Sequence, residues 1–209
     1  MAGAARLDYQ PRHRVSHGAA ARAGLSRFEY FSVLISIVIA LGISEMASCW
    51  GALLRQRREV RFYWVHALWT VFAVLLLVQF WWGFWNFRSV ETWSFPALLA
   101  VVTEALVLVL AAMVLTPRAA PKEVIDLRSH YYQQSRVFFC LGAFLLVQLA
   151  IVDSWVSGQP FFHAENAVRA LGLFAAVSGA LSRNERVHQA LVVAALVLLF
   201  VFTFVAFDS

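Results

Sequence analysis

The sequence predicts an all-α fold, a polytopic membrane bundle of six transmembrane helices, and three observations carry that prediction. Six apolar runs divide the 209-residue chain, at 28–54, 62–85, 93–115, 137–156, 161–182 and 188–207. Each is close to the ~20 residues needed to cross a hydrocarbon core ~30 Å thick. Hydrophobic residues make up 61% of the chain and charged ones 14%, where a soluble domain averages about 45–50% and 25%. The basic residues gather between the runs: Arg55, Arg57, Arg58 and Arg61 after the first, and Arg118, Lys122, Arg128 and Arg136 around the longest connection. So placed, they set topology and touch anionic head groups. The net charge of +5 is therefore no nucleic-acid signal, and no nucleic-acid partner is expected. The expected partner is the lipid bilayer, with self-association or a second membrane protein as further candidates.

The elements follow in order. Residues 1–27 hold Arg6, Arg12, Arg14, Arg22 and Arg27 among Ala, Gly and Ser. The run after them is too long for a signal-peptide core and contains Glu45, so the stretch reads as a retained, disordered basic tail. One transmembrane domain, 28–209, follows. Helix one places Ser32, Ser36, Ala40, Ser44 and Ser48 four apart, small residues that let helices approach closely and hydrogen-bond. Helix two carries Tyr63, Trp64 and Trp69 at one end and Trp81, Trp82 and Trp85 at the other. Such rings belong at the two head-group levels. Ser94 as N-cap with Pro96 in the first turn starts helix three, and Thr116-Pro117 stops it.

In the longest connection Val124, Leu127 and Tyr131 recur at helical spacing, with Lys122, Asp126 and Arg128 opposite. That predicts a surface amphipathic segment near 122–134. Helix four ends near Ser157-Gly158. Helix five is the least apolar run, with Glu165 and Arg169 in its first turns, and helix six is expected to face lipid. Three helices, a long connection and three more suggest a 3+3 repeat, with Arg27 and Glu45 matched by Arg136 and Asp153. Connections 1–2, 3–4 and 5–6 are rich in Lys and Arg, while 2–3 and 4–5 hold only Arg88 and Arg169. The positive-inside rule then puts both termini outside, against the pull of the arginines in the tail.

Three acids fall where lipid should exclude them: Glu45, Glu104 and Asp153. Glu104 lies near the middle of helix three, where an ionised side chain costs at least ~2.5–3.5 kcal/mol, so it must be neutral or paired. It can serve as a proton- or cation-handling carboxylate, or as a hydrogen-bonded packing residue. Gly42 and Ser48 share a face with Glu45, and Gln79, Trp82, Gly83 and Asn86 share a face of helix two. Gln148 adds an amide at mid-depth. The candidate ion or proton pathway is thus Glu45, Glu104, Gln79, Gln148, Ser36, Ser44 and Ser48. Asp153 and Arg169 lie near facing ends of helices four and five and are expected to form a structural ion pair at the rim. Gly172, Ala176 and Gly179 read as close-packing residues.

His66 reads as an interfacial residue, and no second His sits at metal spacing, so neither a metal nor a cofactor is expected. Cys49 and Cys140 lie inside apolar runs and read as small hydrophobes. No phosphate loop, zinc-protease motif or nucleophile elbow is present. The chain is therefore read as a non-enzyme, with lipid modification a distant alternative.

The stretch Phe28-Glu29-Tyr30-Phe31-Ser32-Val33-Leu34-Ile35-Ser36, together with the Trp/Phe-rich end of helix two, resembles small bacterial multi-pass inner-membrane proteins without an assigned activity. The resemblance implies a location in the bacterial inner membrane and transfers no chemistry. Arg27, Phe31 and Ser32 also resemble the Arg-x-x-x-Phe-Ser-Asp-Gly opening of six-helix bacterial and lysosomal potassium channels, but Val33 and Leu34 replace Asp-Gly. That resemblance implies a pore, with the N-terminus inside. Two functions are expected from these residues: an oligomeric ion channel or ion-coupled transporter, or a non-catalytic scaffold, sensor or accessory subunit.

Overall fold

Long apolar segments that satisfy their own backbone hydrogen bonds are what a bilayer permits, and helices dominate the chain. The computed structural model describes residues 27–90, 92–117, 124–156, 160 and 164–207, with side chains as far as 203. The order is α1 (Arg27–Arg55), β1 (Val60–Arg61), α2 (Trp64–Gly83) continued by a 3₁₀ segment (Phe84–Ser89), α3 (Phe95–Val114), β2 (Ile125–Asp126), α4 (Leu127–Val156), α5 (Ala164–Leu181) and α6 (Glu185–Phe207). Five of these are long and apolar enough to cross a membrane: α1, α2 with its 3₁₀ extension, α3, α4 and α6. The chain is a multi-pass membrane protein. The tail 1–26 and the connection 118–123 lie outside the described residues.

Starts and stops follow local chemistry. Ser94 caps α3 as expected, its hydroxyl accepting the Ala97 N–H at 3.3 Å, with proline in the first turn. α4 begins at Leu127, well before the expected 137, because Asp126 is its N-cap. One carboxylate oxygen of Asp126 accepts the Arg128 and Ser129 N–H groups at 3.0 and 2.9 Å, the donors an N-cap satisfies. The expected surface segment near 122–134 is thus corrected: from Leu127 onward it is the opening of α4. Leu127 and Tyr131 turn into the protein rather than onto the membrane surface. A two-residue parallel pairing, Val60 with Ile125 and Arg61 with Asp126, ties the two basic connections together. It qualifies the all-α expectation and is too short to leave a periodic signal.

The helices alternate in direction. At one end, the basic end, lie the last turn of α1, both strands and the starts of α2, α4 and α6. The other end holds the 3₁₀ segment, the start of α3 and the Asp153–Arg169 pair. α2 packs on α3, α3 on α4, α4 on α5, α5 on α6, and α6 returns to α2. Five helices therefore form a closed ring, and α1 lies outside it in the groove between α2 and α3.

α4 and α5 make the most extensive contact, and glycines set its distance. A Cβ on Gly179 would fall 2.6 Å from the Phe139 ring, and one on Gly172 would fall 3.3 Å from Leu146. With Arg169 on Asp153 and Arg183 donating to the Tyr132 carbonyl at 3.2 Å, these pairs define one antiparallel register. α5 thereby runs beside α4 from Asp153 back to Tyr132. The 18 residues of α5 cover about 27 Å at 1.5 Å per residue.

Trp69 departs from its expected place at the head groups. It is buried, edge-on to Phe72, Phe138 and Phe139 at 5.2 Å each, while Trp64, Trp81, Trp82 and Trp85 are exposed. Phe139 is itself buried and cannot yield to a methyl group on Gly179. Gly179→Ala should therefore destabilise the folded protein by about 1–3 kcal/mol, as overpacking does. Gly142→Ala, where a Cβ meets nothing within 4 Å, should instead stabilise the helix by about 0.5–1 kcal/mol, the usual gain over a helical glycine. Denaturant unfolding of the detergent-solubilised variants measures both.

Candidate functional site

The ring surrounds a half-open cavity of about 250 Å³ whose lining comes from α2, the 3₁₀ segment, α3, α4, α5 and α6. Its walls are mostly aromatic and aliphatic. Polar groups enter at two places. Glu104 sits on the wall at mid-depth, and Gln79, Asn86, Asp153, Glu165 and Arg169 gather toward the end opposite the basic connections.

α3 is the most buried helix of the ring, and Glu104 is 1% exposed. Its neighbours along the helix, Val101, Ala105 and Leu108, are buried and apolar. Among the described residues its Oε1 has no hydrogen-bond partner. A buried carboxyl oxygen left unmatched is costly, and the space beside it is the cavity. Arg169 is different, being matched by several acceptors: it binds Asp153, reaches Glu165 at 3.2 Å and donates to the Asn166 side chain at 2.7 Å. Its guanidinium also lies 5.7 Å from the centre of the Phe202 ring. The ion pair expected at the rim is present at that level, with Arg169 buried, Asp153 half-buried and both lining the cavity. Among the described lining residues three carboxyl groups face one guanidinium.

The structure gathers only part of the expected pathway. Gln79 lines the cavity and donates to the Thr203 hydroxyl at 2.9 Å. Gln148 does not line it; its amide donates to the Ala100 carbonyl at 2.9 Å and ties α4 to α3. Glu45, Ser36, Ser44 and Ser48 belong to α1, outside the ring, and are not brought to the cavity. Ser36 accepts the Trp81 indole N–H at 2.9 Å, while Ser44 and Ser48 are exposed and Glu45 half-buried. Gly42 faces Val109, which sets α1 against α3 in register. Glu45 is therefore about 12 Å along the axis from Glu104, toward the basic end. The helical spacing that put serines on one face could not say whether that face looked in or out.

A second polar cluster at the basic end escaped the sequence reading. His66 is buried and bonds the Leu115 carbonyl at 2.8 Å through Nε2. His188 is fully buried, its Nε2 on the Ser182 carbonyl at 3.0 Å and its Nδ1 on the Tyr131 hydroxyl at 2.7 Å. Leu115 and Ser182 follow the last turns of α3 and α5, so both histidines satisfy carbonyls that a helix end leaves without an intrahelical donor. The Tyr63 and Tyr132 hydroxyls lie 3.3 Å apart, and burial together with that neighbour pushes the Tyr63 hydroxyl above its ordinary pKa. It stays a neutral phenol. This cluster is helix-end capping. Spacing gave one usable signal for it: His66, Thr70, Ala73 and Leu77 recur on one helix face and are all buried.

No family model matches the chain, and neither the curated proteins nor the solved structures include a match.

Removing Arg169 would take the guanidinium away from Asp153 and Glu165 together, whereas removing Asp153 leaves it on Glu165. Arg169→Met should therefore cost about 3–5 kcal/mol, the range for a broken buried pair, and Asp153→Asn clearly less. Exchanging the two charges would set an aspartate at 169 against Glu165, so the swap should recover little. Unfolding midpoints of the three variants in one detergent test this order, which equal losses for Arg169→Met and Asp153→Asn would contradict.

Proposed function

We propose that this chain is a small transport protein of the bacterial inner membrane, an ion channel or ion-coupled carrier, whose working group is Glu104. The observation behind this reading is the buried Glu104 Oε1, without a partner among the described residues, on the wall of a cavity lined by five helices. A carboxyl at that depth must be neutral or matched by a cation. A proton and a cationic substrate would therefore compete for one group, which is the elementary requirement for coupling. Asp153, Glu165 and Arg169 form the polar end from which the cavity is reached, and Gln79 stands between that end and Glu104.

The reading includes six spans. α5 lies antiparallel to α4 over the depth from Asp153 to Tyr132 and closes the ring between α4 and α6, so it crosses with them. The basic end is then cytoplasmic and both termini lie outside. The reading needs no 3+3 repeat: Glu45 and Asp153, the matched acids, occupy unlike places, and α1 packs on both other helices of its half, whereas α5 mediates between α4 and α6. A second reading, association with another copy or another membrane protein, is favoured by α1. Its Ser44 and Ser48 are exposed beside half-buried Glu45, a polar stripe on a helix outside the ring.

Two experiments test the proposal. A cysteine at position 57 should label only after permeabilisation and one at Ser209 in intact cells; the reverse pattern overturns the orientation, and labels on the same face reduce the spans to five. In proteoliposomes, Glu104→Gln keeps size and hydrogen bonding but cannot ionise, so it should fold normally and lose cation flux by about tenfold or more. Glu104→Leu removes the hydrogen bonds as well. Wild-type flux for Glu104→Gln together with an unfolded Glu104→Leu would make the carboxyl structural.

A further inference from the structure

We propose that the cavity binds a small lipophilic organic cation, with its charged centre on Glu104 and its apolar groups against the aromatic wall. The inference rests on the transport reading for the site's use, but the binding site itself stands on the geometry.

Four properties of the cavity select this ligand class. The first is charge. Among the described lining residues Glu104, Asp153 and Glu165 oppose Arg169 alone, so the polar groups favour a positive guest. An anion would need donors, and the Arg169 guanidinium is already engaged by Asp153, Glu165 and Asn166. The second is the lack of an oxygen shell. A bare inorganic cation needs several oxygen ligands to replace its water, and no group of three or more His, Cys, Asp or Glu among the described residues can hold a metal ion. Apart from the few polar side chains named above, the walls offer carbon.

The third property is the kind of carbon. Trp69, Phe72, Phe80, Phe138, Phe139 and Phe202 line the space, and ring faces attract cations, most strongly organic ones in desolvated sites. The wall already holds one such contact, Arg169 against Phe202. The fourth is the buried Glu104 oxygen without a partner among the described residues. A neutral apolar guest would leave it unmatched, whereas a cation supplies the missing charge. At about 250 Å³ the space sits at the small end of ligand pockets, which favours a compact guest. A tertiary or quaternary amine with one aryl group fits these constraints: its apolar surface meets the wall, and its charge meets the single carboxyl at mid-depth.

The test uses the full chain in lipid nanodiscs and equilibrium dialysis, with empty nanodiscs as the blank. The probes are benzyltrimethylammonium and its neutral carbon isostere, neopentylbenzene, which share shape and differ in charge. The wild type should retain the cation above the blank and favour it clearly over the isostere. Glu104→Gln should weaken cation binding about 30-fold or more, the loss when one partner of a buried charge pair is removed, while leaving retention of the isostere unchanged. Equal retention of both probes by the wild type overturns the proposal without any variant. So does a folded Glu104→Gln protein that binds the cation as the wild type does. Flux separates the two readings. Charge-selective binding without transport upholds the site and removes the carrier. Glu104-dependent flux of protons or inorganic cations without binding of the organic cation leaves a transporter and overturns this substrate class.

Discussion

Everything about the cavity depends on how closely α4 and α5 approach. Gly179 lets the backbone of α5 lie against the Phe139 ring, and Gly172 does the same for Leu146. This seam holds α5 at the depth where Arg169 meets Asp153, and it turns α5 so that its far side reaches α6. Without it the ring has no fourth wall. In lipid, association of helices draws little on the hydrophobic effect and relies on such close packing. Two glycines without side chains therefore do more to define the site than the polar residues displayed there.

The ring sorts its charges by how completely they are matched. Arg169 is buried among acceptors and rings, and its charge is used up where it stands. Glu104 is as deeply buried, yet one oxygen lacks a partner among the described residues. A packing carboxyl would be expected to place both oxygens on donors, as Asp126 places one oxygen on two N–H groups at the start of α4. Gln148 shows that α4 carries a donor within a few turns of Glu104, but it is turned onto the Ala100 carbonyl. The contrast between a paired ion cluster and an acid with one unpartnered oxygen among the described residues is what gives the cavity a chemical direction.

How much of this was legible in the sequence depended on the kind of signal. Membrane depth was legible, because run length and composition are absolute quantities. The α3 start was legible because Ser94 and Pro96 form a local code. The α4 start carried a similar code in Asp126, but the basic residues around it looked like loop. Partnering was legible only where chain order forced it, as for Asp153 and Arg169 across one short connection. The direction in which a face points was not legible. The serine face of α1 and the Gln79 face of α2 have the same spacing, yet one lies outside the ring and the other lines the cavity. Helical periodicity gives a face its members and leaves its azimuth to tertiary packing. Trp69 fell to the same ambiguity, since an indole near a helix end suits a head-group level and an aromatic core equally.

α5 resolves one tension between composition and position. Its 18 residues are long enough to span, but its hydropathy falls short of the five clear spans. A helix facing lipid all round could not carry Glu165, Asn166 and Arg169 within two turns of its start. α5 can, because Arg169 is turned into the ring, where acids and an amide receive it. Its outer face keeps Leu171, Phe174, Val177 and Leu181 exposed, as lipid requires. Low average hydropathy in α5 thus reflects the polar residues of its first turns, with Arg169 turned into the ring. Among the described lining residues α5 brings two of the four charged side chains, Glu165 and Arg169, more than any other helix of the ring.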